Sequence, residues 1–171
     1  MAPPRHPQGF EDWLAGLYDA AELSDESNAP TLLWLRGYFD VEGPVPAETA
    51  WNALLAYQIA LANDAAAAVL DDLDRTTALR PVVVVEGHDG SGVRISINGG
   101  YEAPSMWELD RPEAFAEVAD YFQDQLRSAV GCWPVCEQHD IGLHGEVHDG
   151  VAVWWCRFGE HALARIGELG R

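Results

Sequence analysis

Apolar residues recur along this chain with two different periods, and the change falls near Pro81. Before that point they return every three or four positions, which is typical of one buried face of an α-helix. The pattern predicts helices over residues 9–23, 31–39 and 46–74. The apolar stripe of the third helix contains Trp51, Leu54, Leu55, Leu61, Ala62, Ala65, Val69 and Leu73.

Beyond Pro81 the period is that of β-strands. Residues 82–85 form a β-branched run, and residues 93–98 alternate apolar with polar side chains. The two segments predict a hairpin with one buried face. The glycine-rich segment between them, residues 87–92, leads into a strand, whereas a phosphate-binding loop opens a helix. Phosphate binding is therefore the weaker interpretation of these glycines.

A fourth helix is predicted from Asp110, which can cap it, with Glu113 three positions on and Pro112 in the first turn. Its apolar stripe contains Phe115, Val118, Ala119, Phe122 and Leu126. Its other face carries four carboxylates, the acidic row: Glu113, Glu117, Asp120 and Asp124. Like charges at these spacings cost roughly a few tenths of a kcal/mol per pair. The row is either an ordinary solvated face or a binding surface for a cationic protein.

The sequence Asp149-Gly150 predicts a two-residue hairpin turn, because both positions must take positive φ. That turn sets the strand pairs Val151 with His148, Val153 with Glu146, Trp155 with His144, and Cys156 with Leu143. Side chains alternate faces along a strand, so His144 and His148 lie on the face opposite Cys156. They are weak candidates for ligands that act together with that cysteine. A short amphipathic helix is predicted next, over residues 160–169.

All three cysteines and four of the six histidines stand in the last forty residues. Thiolates and imidazoles are the ligands of tetrahedral structural zinc. Cys-x2-His and Cys-x4-His spacings predict a structural zinc ion bound by Cys136, His139, Cys156 and His161. Cys132 is an alternative ligand in place of a histidine. The competing interpretation is three buried, reduced cysteines with surface histidines, because cysteine also packs as a small hydrophobe.

The predicted order of knuckle, hairpin and helix resembles the treble-clef and zinc-ribbon families of small metal modules. The resemblance covers only about residues 132–169. Those families usually present Cys-x2-Cys pairs, whereas this chain has cysteine–histidine pairs. The resemblance implies that a metal ion holds the C-terminal segment together.

The net charge is −18, and all ten basic residues are arginine. Such a surface repels phosphate backbones and attracts cationic proteins, so we expect a basic protein partner and no direct nucleic-acid binding. Without lysine, Schiff-base and P-loop chemistry are excluded. The sequence has no signal-peptide pattern and no uninterrupted long apolar run, and it has an odd number of cysteines. These features predict a cytoplasmic protein without membrane contact.

These elements predict an α+β fold with an N-terminal helical lobe, a small antiparallel sheet with a covering helix, and a C-terminal zinc-stapled hairpin and helix. We expect three segments: an acidic helical lobe over residues 1–78, a β-hairpin plus helix over 79–131, and a zinc-binding module over 132–171.

The expected function is non-enzymatic: an acidic, zinc-stabilised protein-interaction module, such as an inhibitor or immunity-type partner of a basic protein. The sequence contains no Gly-x-Ser-x-Gly elbow, no His-Glu-x-x-His helix and no Pro-Cys-x-x-Cys deaminase motif. The alternative is a small zinc-dependent hydrolase with an open metal site, for which Glu146, Asp149 and Asp140 are the nearby carboxylates. A nucleophilic Cys132 with a histidine base is a further alternative.

Overall fold

The computed structural model describes residues 9–21, 29–87, 92–100 and 108–171. Most of the glycine-rich turn and the end of the first predicted helix lie outside these residues. The elements in chain order are α1 (Phe10–Ala21), α2 (Ala29–Glu42), α3 (Ala47–Thr76), β1 (Val83–Gly87), β2 (Val93–Ile97), α4 (Arg111–Val130), β3 (Val135–Cys136), β4 (Ile141–Gly142), β5 (His144–His148), β6 (Val151–Cys156) and β7 (His161–Arg165). The predicted α+β class is confirmed.

The described strands form three antiparallel sheets. β1 pairs with β2, β3 pairs with β4, and β6 lies between β5 and β7. The hairpin predicted around Asp149 and Gly150 has the predicted register, with His148 opposite Val151 and His144 opposite Trp155. Both turn residues have positive φ, 51° and 72°. The turn therefore forms for the reason that the sequence indicates.

The chain divides into two compact units, residues 1–57 and 58–171, and the division falls inside α3. The three-segment organisation stays a prediction. In the first unit, the apolar faces of α1 and α2 bury an aromatic core. Trp13 packs against Phe39 with ring centroids 5.1 Å apart, and its indole N–H donates to the carbonyl of Val45 at 2.7 Å. The indole N–H of Trp13 thus has a hydrogen-bond acceptor while the ring itself is buried, as a core tryptophan requires.

In the second unit, the buried residues of α4 face the three-stranded sheet. The Asp110 carboxylate accepts the backbone N–H of Glu113, so the predicted N-cap is formed. The strands that α4 mainly contacts are β5 and β6, whereas the sequence pattern indicated the β1–β2 hairpin as the covered sheet. Gly145 explains the close approach: a Cβ there would stand 2.8 Å from the Ala116 carbonyl oxygen. Only glycine lets this strand lie so near the helix.

The helix predicted over residues 160–169 is wrong. Its first half is strand β7, in which His161 pairs with Cys156. The three-residue spacing of Leu163, Ile166 and Leu169 matches a helical face, but strand pairing with β6 overrides that local pattern. In the described part of the chain, the C-terminal module is therefore built from hairpins without a helix of its own.

The helix α3 is the one described element that is long and apolar enough, by length and composition, to cross a membrane. This is weak evidence, because the core helix of a soluble protein passes the same test. In the second unit, α3 buries one face, with Leu61, Ala65, Val69 and Leu73 almost inaccessible to solvent. The expected absence of membrane contact stays a prediction.

Candidate metal centre

The first pair of candidate ligands lies on the hairpin of β3 and β4. Cys136 ends β3 opposite Ile141, and His139 lies in the turn between them. The backbone N–H groups of His139 and Asp140 both donate to the carbonyl of Cys136, at 3.2 and 2.8 Å. These bonds fold the turn so that the Cys136 thiol and the His139 ring point to one place.

The second pair lies on the hairpin of β6 and β7. Cys156 and His161 stand opposite each other at its closed end, and Arg157–Glu160 forms the turn. The N–H of Gly159 donates to the sulfur of Cys156 at 3.4 Å. This bond holds the turn against the sulfur of Cys156.

The two hairpins meet at their ligand ends, and the ligand atoms of Cys136, His139, Cys156 and His161 all lie within 4.8 Å of one another. The nearest pairs join Cys136 Sγ to His139 Nδ1 at 3.4 Å and to His161 Nε2 at 3.6 Å, and Cys156 Sγ to His139 Nδ1 at 3.3 Å. A tetrahedral zinc ion with Zn–S bonds of about 2.3 Å and Zn–N bonds of about 2.05 Å would hold sulfur and nitrogen about 3.6 Å apart. The group can therefore hold a metal ion.

Hydrogen bonding alone accounts poorly for this arrangement. The Nδ1 atom of His139 is close to both sulfurs, yet one ring nitrogen offers either one proton or one lone pair. Two thiols around a single nitrogen are the geometry expected when all three atoms surround a common ion. Both cysteines are fully buried and both histidines are partly buried, so the centre is shielded from solvent.

Gly159 makes room for the two imidazoles. A Cβ at this position would stand 2.3 Å from Cε1 of His139 and 2.6 Å from Cδ2 of His161. Neither ring can move away without leaving the ligand cluster. Sequence analysis missed this residue, although a glycine between a predicted cysteine ligand and a predicted histidine ligand was a signal for it.

The other cysteine and two histidines of the segment lie outside the cluster. Cys132 is exposed, and its sulfur lies against Gly142. The rings of His148 and Trp155 stack with centroids 3.5 Å apart, and His148 also bonds to Glu146. The predicted four-residue set is thus brought together, and the alternative ligand Cys132 is not part of it.

A buried carboxylate, Asp72 near the end of α3, anchors the C-terminal module. Its side chain is completely buried and accepts four hydrogen bonds at 2.7 to 2.8 Å, from the Trp154 indole, the backbone N–H groups of Gly167 and Leu169, and the Arg75 guanidinium. A buried charge is tolerated when it is paired and fully bonded, as here. Sequence analysis missed Asp72, although it stands three and seven residues after the core residues Val69 and Ala65 and so lies on the apolar stripe.

The acidic row lies along α4, where its four residues are exposed. Burial of the Asp120 carboxylate against the chain raises its pKa, even though it accepts the N–H of Gly145. Burial, followed by repulsion from Glu108, also raises the pKa of Glu117. Six arginines form ion pairs in the described part of the chain, and none of the carboxylates that they bind belongs to the row. The charged forms of Glu117 and Asp120 are therefore disfavoured in the folded chain.

Comparisons of the chain with protein-family models, with curated proteins and with solved structures found no match. The arguments on function therefore rest on the geometry of this chain.

Proposed function

We propose that this chain is a non-enzymatic protein-interaction module that a structural zinc ion stabilises and that binds a basic protein. An inhibitor or immunity-type partner of such a protein, acting in the cytoplasm, is the role that suits it best. The observation that carries the proposal is the set of four protein donors around one point.

The donor set supports a structural ion because it is complete. Structural zinc sites use four protein ligands, whereas catalytic sites use three and leave a position for water. Two thiolates and two imidazoles at tetrahedral spacing suit zinc better than the hard cations, which prefer oxygen. Once bound, zinc supplies a cross-link between two hairpins, and Cys136, His139, Cys156 and His161 hold it.

A zinc-dependent hydrolase remains the alternative. In that case one of the four donors must leave the metal, so that a water molecule can bind in its place. A hydrolase also needs a base beside the metal-bound water. Burial acts to raise the pKa of Glu146, but bonds from Arg157 and His148 outweigh it and hold that pKa below its ordinary value. A carboxylate tied up in this way is a poor general base, which counts against Glu146 in that role. The complete set of four donors favours the interaction module.

The proposed basic partner rests on charge. The chain carries −18. The ion pairs of the described arginines include none of the acidic row Glu113, Glu117, Asp120 and Asp124, although Arg157 and His144 attract the Asp120 carboxylate. Complementary charge mainly accelerates association and selects the partner.

The proposal is tested on protein prepared under reducing conditions without chelators. We expect elemental analysis to find one zinc per chain, and Cys136→Ser to lose it, while Cys132→Ser, a matched change at an exposed cysteine, retains it. Co-purification from the native host should recover a basic protein. A chain without stoichiometric metal, or a Cys132→Ser variant that loses it, would contradict the proposed centre.

A further inference from the structure

Exposed apolar side chains stand next to the proposed ligands along the chain. Nine large hydrophobic side chains are exposed in the described residues, and four of them stand within two positions of a ligand. We call these four the ligand-flanking patch: Val135, Ile141, Phe158 and Leu163. Val135 precedes Cys136, and each of the other three follows a ligand by two residues. Exposed apolar side chains grouped near a site are typical of a contact surface.

Phe158 is the prominent member of the patch. It is 75% exposed at the tip of the β6–β7 turn, and its ring centroid lies 5.1 Å from that of the ligand His139. The turn joins the two ligands Cys156 and His161, so a bound ion would fix its conformation. An aromatic side chain held rigidly loses little entropy on binding, which suits it to act as an anchor.

An open groove of about 700 Å³ adjoins this patch and contains Ile141 in its lining. Its wall also includes the apolar residues Trp133 and Leu143 and two members of the acidic row, Asp120 and Asp124. Two arginines line it as well: Arg127, and Arg157, which is bonded to Glu146 and also attracts the Asp120 carboxylate.

Carboxylates also surround the patch itself. Glu137 and Asp140 are exposed on the first hairpin, and Glu160 is exposed on the second. The apolar centre thus has a mainly anionic rim that continues through the groove to the acidic row. Apolar centres with polar rims are the usual anatomy of protein interfaces.

We propose that the ligand-flanking patch and the adjoining groove form the docking surface for the basic partner, with Phe158 as its anchor. The segment that fits carries apolar side chains next to arginine or lysine: the apolar groups pack on the patch, and the cations face the carboxylates. This inference rests on the proposed function, since it names the surface that the interaction module uses.

The test uses a synthetic probe peptide of alternating arginine and leucine, added to the isotope-labelled full chain and followed by NMR. A peptide of alternating arginine and serine has the same charge without the apolar groups. We expect the arginine–leucine peptide to shift the amide signals of residues 137–141 and 157–160. The arginine–serine peptide should bind the chain at least about tenfold more weakly.

Phe158→Ser should weaken the binding of the arginine–leucine peptide by at least about tenfold, because the aromatic anchor that the peptide would bury is lost. Phe158→Trp should keep the affinity, and Val84→Ser, a change at an exposed valine of β1, should leave it unchanged. Metal content is measured for every variant, so that a lost site is not mistaken for a lost anchor. Equal affinity of wild type and Phe158→Ser, or signal shifts confined to other regions, would overturn the inference.

Different results would overturn the proposed function and the proposed docking surface. A chain that holds zinc and binds a basic host protein equally well with and without Phe158 overturns the docking surface and leaves the proposed function standing. A chain without zinc that still binds the peptide through Phe158 supports the surface and overturns the proposed metal centre.

Discussion

The helical first unit and the C-terminal metal module are stabilised by different kinds of interaction. In the first unit, α1 and α2 bury apolar faces around Trp13, Leu17, Leu35 and Phe39. In the module, the two hairpins that carry the ligands are made of strands two to six residues long. An isolated two-stranded hairpin is marginally stable at best. The buried residues Trp154 and Leu143 and the Asp72 carboxylate hold the module from inside, and the proposed metal ion would join the ligand ends of the two hairpins.

The difference teaches how strongly each region depends on single residues. An apolar core spreads its free energy over many contacts, each worth about 0.1–0.2 kcal/mol per atom pair. A metal cross-link concentrates it in four side chains. Substitutions in the module should therefore have large effects at a few positions, and the following predictions test that contrast.

Removal of the metal should have the largest effect. Structural zinc contributes apparent binding energies of about 10–16 kcal/mol in small peptides, and that energy stabilises the fold. We expect a chelator to abolish the protection of amide hydrogens in residues 135–165, measured by hydrogen exchange, while α1 and α2 keep theirs. Loss of protection in both regions at the same time would show that the first unit also depends on the metal, contrary to the proposed difference between the two regions.

Asp72→Ala should come next, with a loss of about 3–5 kcal/mol in the free energy of unfolding of the second unit. It removes the acceptor for the Trp154 indole and for two backbone N–H groups near the C-terminus. Urea titration followed by tryptophan fluorescence measures the loss. Asp74→Ala is the matched control, because Asp74 forms an exposed ion pair with Arg80, worth about 0–1 kcal/mol. Equal losses of unfolding free energy in the two variants would show that Asp72 does not anchor the C-terminal module.

Gly159→Ala tests the centre without changing a ligand. The added methyl group would collide with both imidazoles, so we expect metal affinity to fall by about 10–100-fold, the range seen when groups that support ligands are changed. Competition with a chromophoric chelator measures the affinity. Gly37→Ala is the control, since a Cβ on Gly37 in α2 would meet nothing within 4 Å. An unchanged affinity in Gly159→Ala would mean that the rings are not held where the cluster needs them.

The two regions also differed in how far the sequence predicted them. The helical spacing of Trp13, Leu14 and Leu17 was sufficient for α1, because local periodicity and burial agree there. The hairpin at Asp149 was predicted in register because its turn chemistry is local. The strand β7 was not predicted, because its pairing with β6 overrides the helical spacing of its apolar residues. The role of Asp72 was not predicted, because its hydrogen-bond donors Trp154, Gly167 and Leu169 are distant in the chain. The spacing of cysteines and histidines was enough to propose four residues that the fold brings together, whereas the contact of Gly159 with both imidazoles arises only where the two hairpins meet.

His144→Ala combined with His148→Ala should leave the metal in place, since both residues lie outside the four-residue cluster. Loss of the stack on Trp155 and of the bond to Glu146 should lower the free energy of unfolding by about 0.5–1.5 kcal/mol. Elemental analysis and urea titration measure the two effects. Loss of zinc from this double variant would mean that the ligand set is wrong.

Neutralising the acidic row should change the free energy of unfolding least. Unlike the other changes, it should raise that free energy and not lower it. Changing Glu113, Glu117, Asp120 and Asp124 to glutamine or asparagine removes like-charge repulsion worth roughly a few tenths of a kcal/mol per pair. We expect the free protein to be as stable as wild type or slightly more stable at neutral pH.

The pH dependence of that gain follows from the raised pKa values. A carboxyl group whose pKa is higher in the folded state stabilises the fold when it is protonated, and this stabilisation is lost as the pH rises through the folded pKa. Wild type is therefore penalised at neutral pH by Asp120 and Glu117, whereas the neutral variant is not. The gain should shrink as the pH falls towards the ordinary values of 3.8 for Asp120 and 4.5 for Glu117. Urea titrations at several pH values measure it, and a gain that grows on acidification would show that burial does not penalise the charged forms of Asp120 and Glu117.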